Sequence, residues 1–283
     1  MQKKSAIANT ITTTSSNKEF DFKQEAIKQW THDPCGLLGA KGFEIGTGEF
    51  YERVDHNRYV EYAPWMKSVM PFADFQGRKV LEIGFGMGTD LFQFARGGAE
   101  VYGVDLSPEH LRIASERFAF FGLPANLQLA DAENLPFPDA SFDAVYSFGV
   151  IHHIPNIEQA VREIYRVLRP GGQAIISVYH KNSAFYYFCV LGGYLVHFRF
   201  LNESFQANLS RIEYREHSDA CPLVKLLSRN ELRNLFSQFP EVGIECHHLA
   251  ATHFGSLQRL VPESLVRRVE NKLGWYLVAK ATR

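Results

Sequence analysis

Three glycines at alternate positions, Gly84, Gly86 and Gly88, follow directly on the strand-like run Val80-Leu81-Glu82-Ile83 and precede a helix-like segment, Leu91 to Ala95. Glycines crowded into a strand-to-helix turn permit left-handed dihedrals and let a ligand approach the backbone closely. Such a turn belongs to a parallel sheet wound with helices, with the ligand at the carboxyl edge of the strands. The spacing also limits the ligand. A dinucleotide fingerprint, G-x-G-x-x-G, would put its third glycine at position 89, where this chain has Thr89. A pyrophosphate on a helix N-terminus is poorly served by a nearby carboxylate, and Glu82 stands two residues before the first glycine. The turn suits a cationic ligand better.

The chain around this turn alternates. Lys79 to Ile83, Glu100 to Val104, Leu127 to Leu129, Phe142 to Phe148 and Ala174 to Tyr179 read as strands. Between them, Ser107 is a good helix cap with Pro108 at the first helical position, and Leu111, Ala114, Phe118 and Phe121 follow at helical spacing until Gly122. Ile157, Val161, Ile164 and Leu168 mark a second helix, ending before Pro170-Gly171-Gly172. The reading is an α/β, doubly wound sheet. Five segments follow: a disordered tail over 1–20, an irregular helical cap over 21–75, a ligand-binding core over 76–183, an aromatic-rich insertion over 184–218, and a completion of the sheet over 219–283. In the last, a helix runs from Arg229 to Phe239, an amphipathic segment from Pro262 to Leu273, and 242–248 and 275–280 look like two closing strands.

Composition narrows the partners. A formal net charge of -1 gives no electrostatic reason to expect nucleic acid. Four cysteines, Cys35, Cys189, Cys221 and Cys246, lack any C-x-x-C spacing, which argues for reduced thiols in a cytoplasmic compartment rather than a zinc site or disulfides. The first 20 residues lack the apolar stretch of a signal peptide; a transit peptide stays open on composition, although arginine is absent there. Lys181 to Arg199 contains no charged residue between its ends, yet it is short for a membrane span and includes Asn182, Ser183, Gly192-Gly193 and His197. No transmembrane span is expected, and peripheral membrane contact stays open.

Two acidic sites fall at strand ends, where a wound sheet holds its ligand. Asp105 closes the second strand about 20 residues past Gly84, where a carboxylate can accept two ribose hydroxyls; otherwise it is a solvated turn residue before Ser107. Asp131-Ala132-Glu133 follows the third strand, where a carboxylate and a backbone N–H can hold an adenine edge.

Five stretches in this order, Val80 to Gly88, Gly103 to Ser107, Asp131 to Phe137, Ser141 to Val145 and Leu168 to Gly172, resemble the core of the class I S-adenosylmethionine (SAM) methyltransferases. The resemblance is nearest to the small-molecule branch that includes ubiquinone-pathway and sterol-type enzymes. It implies a Rossmann-like sheet of seven strands with the last antiparallel. It further implies that Gly84, Gly86 and Gly88 line the methionine and ribose part of SAM, and that Glu82 faces the amino group through water or backbone. Asp105 would hold the ribose, Asp131 and Ala132 the adenine, with Leu106 and Met87 flanking the ring and Phe148 and Gly149 near the sulfonium.

Methyl transfer from a sulfonium mainly needs alignment of nucleophile, methyl and sulfur; a base is required only for a hydroxyl or a protonated amine. His152 and His153, just past the fourth strand, are the candidates, with His180 a third. His247-His248 reads as structural, since neighbouring strand residues point to opposite faces. No H-x-x-x-H or facial His/Asp pattern suggests a metal, and the absence of G-x-S-x-G excludes a hydrolase elbow. The acceptor is expected to be small and hydrophobic or aromatic, methylated on oxygen or nitrogen. It would be covered by the segment with Phe50-Tyr51-Glu52-Arg53 and Asn57-Arg58-Tyr59, and by the insertion, whose aromatics read as a core cover or an acceptor wall. A nicotinamide-dependent oxidoreductase and a catalytically silent SAM-binding module are the alternatives.

Overall fold

Local rules set the element boundaries. In a computed structural model that describes residues 21–213 and 223–283, Asp21 accepts the backbone N–H of Lys23 and Gln24 and starts α1 (Phe22–His32). The tail expected over 1–20 and the end of the insertion, 214–218, lie outside the described residues. Thr47 caps α2 (Gly48–His56), which runs on into a wider turn over Asn57–Tyr62, and α3 (Met66–Val69) closes the cap.

The core then alternates as the sequence implies: β1 (Lys79–Ile83), α4 (Thr89–Arg96), β2 (Glu100–Asp105), α5 (Pro108–Phe120), β3 (Asn126–Leu129), β4 (Phe142–Phe148), α6 (Ile157–Val167) and β5 (Leu168–Tyr179). Ser107 caps α5 through the His110 N–H, with Pro108 at its start. β5 begins earlier than Ala174, because Leu168 pairs with Phe142 and the Gly171 N–H donates to Arg283 across the Pro-Gly-Gly corner. The insertion holds α7 (Gly192–Val196) and α8 (Phe205–Ser210). Behind it come α9 (Arg229–Leu235), β6 (Glu241–His247), α10 (Glu263–Leu273) and β7 (Tyr276–Thr282). Ser228 and Glu231 form a reciprocal capping box on α9. That helix stops at Leu235, short of the expected Phe239, although Phe236 and Phe239 stay buried.

The seven strands lie in the order β3-β2-β1-β4-β5-β7-β6. β7 is antiparallel to both β5 and β6, while the other ladders are parallel. Chain direction across the sheet reverses between β1 and β4, which opens a crevice at their carboxyl ends. Strand alternation feeds both faces: Leu81 and Ile83 pack with Val161 and Ile164 of α6 and Leu232 of α9, while Val80 packs with Leu91 of α4, Phe118 of α5 and Met66 of α3.

Candidate functional site

The crevice is a cavity of about 620 Å³, floored by the glycine turn and roofed by α1 and the turn after α2. Gly84, Gly86 and Gly88 have φ of 73°, 54° and 72°, the left-handed conformation that explains glycine at alternate positions. A Cβ on Gly86 would meet nothing within 4 Å, so that backbone lies open to a ligand. Of the cofactor residues expected from sequence, Glu82, Gly84, Gly86, Met87, Asp105, Leu106, Asp131, Ala132 and Phe148 line the cavity. Gly88 does not; it starts α4, where a side chain would press on Ala114 and Phe118.

Carboxyl groups crowd the cavity floor, where Glu82, Asp90 and Asp105 lie close together. Glu82 is buried, and its Oε2 has no hydrogen-bond partner. Burial pushes its carboxyl well above the usual range, and the charges of Asp90 and Asp105 add to that while Arg58 opposes. Such an orphaned carboxylate fits a ligand's ammonium and repels a pyrophosphate. Asp90, at the head of α4, is fully partnered: it accepts Arg58 Nη2 at 2.5 Å, Tyr59 Oη at 2.6 Å and Tyr146 Oη at 2.8 Å. Burial alone would raise its carboxyl; Arg58 and the hydroxyls outweigh this and hold it low. The Arg58 guanidinium also lies 3.9 Å from the Phe148 ring centroid.

Asp105 accepts the Gly86 N–H at 3.0 Å and the Ser107 N–H at 2.9 Å, and His110 Nδ1 lies 3.1 Å away. Burial would raise this carboxyl too; His110 and the two N–H groups hold it below the usual range. It is thus a fixed, ionised acceptor rather than a solvated turn residue. Asp131 and Glu133 both accept Lys23 Nζ, at 2.6 and 2.7 Å, so α1 is clasped onto the loop after β3. Lys23 and His110 escaped sequence reasoning. His110 had a signal, five residues past Asp105 in the first turn of α5; Lys23 had none.

The histidine pair divides. His153 lines the cavity, and its Nδ1 bonds the Leu223 carbonyl at 2.6 Å. Its Nε2 lies 3.7 Å from Glu213 Oε1, an oxygen that also accepts the Tyr179 hydroxyl at 2.5 Å. His152, expected as a second catalytic candidate, does not reach the cavity. It is fully buried with neither ring nitrogen hydrogen-bonded, its ring 4.0 Å from that of Tyr179. Burial, with His153 beside it, keeps it well below its ordinary value and hence neutral. His180 bonds the Gly274 carbonyl away from the cavity. His247 stacks on Trp65 with centroids 4.9 Å apart.

Among the described residues, His152, His153 and Glu213 bring potential metal-ligand atoms within 4.8 Å of one another; Glu213 stands too far along the chain for a sequence pattern to show this. Among the described residues, the insertion's aromatics do not line the cavity. Phe185 and Tyr186 pack with Tyr179 and Trp275, while Val196, Phe198 and Leu201 are exposed. The inner walls are instead Trp30, Tyr62, Phe148, Tyr179 and Tyr276.

Residues 81–176 match the family model described as "Methyltransferase domain". Over 98 residues the chain is 37% identical to a sterol 4-C-methyltransferase of Caenorhabditis elegans, covering 34% of this chain and 29% of that one. Over 129 residues it is 33% identical to a ubiquinone biosynthesis O-methyltransferase of Ralstonia nicotianae, covering 45% and 53%. It superposes on a solved SAM-dependent methyltransferase from Methanosarcina mazei with a TM-score of 0.52 and 19% identity, over 74% of this chain and 95% of that one. The chain thus spans about half or less of the length of the curated relatives it matches, and the likeness to the solved structure concerns the fold. With the glycine turn, the acidic strand ends and the reversed β7, these matches identify a class I SAM-dependent methyltransferase domain in this chain, with S-adenosylmethionine as its cofactor.

Proposed function

We propose that the protein transfers a methyl group from SAM to oxygen or nitrogen of a small acceptor with an apolar or aromatic body. The observation that carries the reading is the buried, unpartnered Glu82 oxygen beside the open backbone of Gly86. A cationic amino acid end would satisfy that oxygen, and Asp105 stands ready for the ribose. The carboxylate of the methionine part would face Arg58, and Asp131 with Ala132 would flank the adenine. When bound, SAM supplies an activated methyl group whose transfer is an in-line displacement.

The chain's own residues then have three tasks. Phe148 and Gly149, at the end of β4, border the reacting centre. α1, clasped by Lys23, and the turn carrying Arg58 exclude water from it. His153 takes the acceptor's proton where one must be lost, while His152 supports its ring from the buried side. No helix among the described residues is long and apolar enough to cross a membrane. Cys189 and Cys246 form no disulfide, which supports a reducing, cytoplasmic compartment. With a net charge of -1, nucleic acid is not proposed as a partner.

The test is incubation with methyl-labelled SAM and a fractionated metabolite extract, read by mass spectrometry. The reading expects one or a few products heavier by the labelled methyl group, lost in Asp105→Ala. Donor binding with no transfer to any fraction would favour the silent module instead.

A further inference from the structure

We infer that the acceptor is an aliphatic ammonium carrying an apolar group, gripped between Glu213 and His153 and methylated on nitrogen; this rests on the methyl-transfer reading above. Hydrogen-bond polarity at the inner end of the cavity supplies the reason. The Leu223 carbonyl can only accept, so His153 Nδ1, 2.6 Å from it, carries a proton. In the tautomer that this bond selects, Nε2 is left as the lone-pair acceptor, and it faces Glu213 Oε1 at 3.7 Å. Two acceptors face one another across a gap too wide for a direct hydrogen bond.

A donor atom placed about 2.8 Å from each acceptor spans such a gap. A hydroxyl has one proton and can satisfy one side of the pair. An ammonium has enough protons for both. The arrangement also differs from an acid–base dyad in which a carboxylate holds the Nδ1–H of the ring. Here the Leu223 carbonyl holds that N–H, and the carboxylate shares the lone-pair side with the incoming group. Glu213 therefore binds what the ring deprotonates.

The walls agree with a cation. Trp30, Tyr62, Phe148, Tyr179 and Tyr276 line the cavity around this pair. Trp30 lies 5.8 Å from the His153 ring, Tyr179 lies 5.5 Å from Tyr276, and Phe148 lies 4.9 Å from Tyr276. Aromatic rings around a carboxylate attract a positive group electrostatically. Arg58, the guanidinium nearest Phe148, is already matched by Asp90. Among the described residues the third candidate ligand for a divalent metal is His152, and that ring packs against Tyr179 outside the cavity lining.

The chemistry balances. The ammonium gives one proton to His153 Nε2. The freed lone pair on nitrogen forms the N–C bond as the C–S bond of the sulfonium breaks, its electron pair passing to sulfur. The imidazolium left behind is paired with Glu213.

Calorimetric titration of the full-length protein saturated with S-adenosylhomocysteine tests this, using phenethylamine against 2-phenylethanol and hexylamine against hexanol. Each amine should bind about tenfold tighter than its alcohol or better. Glu213→Gln should abolish that preference while S-adenosylhomocysteine affinity holds, showing that the variant is folded; Glu213→Asp should keep part of it. Equal binding of amine and alcohol, or a preference that survives Glu213→Gln, would overturn the inference while leaving methyl transfer standing. So would turnover that requires an added divalent ion and stops with a chelator. Failure of S-adenosylhomocysteine itself to bind would instead sink the underlying methyl-transfer reading, and the acceptor assignment with it.

Discussion

Replacing Glu82 by Gln should move stability and donor affinity in opposite directions. In the ligand-free protein Glu82 is buried with one oxygen unpartnered, close to the negative charges of Asp90 and Asp105. An unsatisfied buried polar group costs about 1–3 kcal/mol, and more when charged. The amide is isosteric and uncharged, so Glu82→Gln should stabilise the ligand-free protein by about 1–3 kcal/mol. For a chain of this size that raises the melting temperature by roughly 2–4 °C per kcal/mol. The same change removes the carboxyl proposed to pair with the donor's ammonium. A hydrogen bond to a charged group contributes about 1.5–3 kcal/mol, so SAM should bind roughly 10- to 100-fold more weakly. Linkage adds a third reading. A carboxyl raised in the folded state stabilises it below its unfolded value of 4.5 and loses that contribution as pH rises. The stability gap between variant and wild type should therefore widen from pH 5 to pH 8. Urea denaturation at both pH values, with calorimetry of SAM binding, measures all three. A destabilised variant, or unchanged SAM affinity, would refute the reasoning.

Four other substitutions probe separate parts of the site. Asp90→Asn leaves the buried Arg58 uncompensated and should cost about 3–5 kcal/mol in urea denaturation; a loss below about 1 kcal/mol would show the pair to be solvated. Asp105→Ala removes the acceptor for Gly86, Ser107 and His110, so SAM affinity should fall at least about tenfold by calorimetry. Gly86→Ala forces a side chain into φ of 54°; about 1–2 kcal/mol of stability should be lost, with weaker SAM binding because the new methyl group enters the cavity. His153→Ala should reduce single-turnover rates by about 100-fold or more with little change in SAM affinity; wild-type rates would remove it from the mechanism.

What the sequence made legible was whatever local pattern controls. The glycine turn and the caps at Ser107 and Ser228 announced themselves through spacing and residue type. So did β1 to β4, because they obey rules within a few residues. β5 resisted because its first rungs depend on Phe142 and the distant Arg283. The cavity-lining residues from Glu82 to Phe148 were readable because they sit at strand ends along one stretch of chain. The inner end of the cavity was not. Glu213 is 60 residues beyond His153, and Lys23 is 108 residues before Asp131. Tertiary folding alone brings these pairs together. The insertion misled for a related reason: a run of aromatics carries no sign of which cluster it joins, and Phe185 and Tyr186 join Trp275 rather than the cavity.

A crystal structure of the protein with S-adenosylhomocysteine bears most directly on the central claim. The account predicts the ligand across the carboxyl ends of β1, β2 and β4, its ammonium beside Glu82, its ribose hydroxyls on Asp105 and its sulfur near Phe148. Density for the ligand elsewhere, or with its carboxylate rather than its ammonium against Glu82, would contradict it.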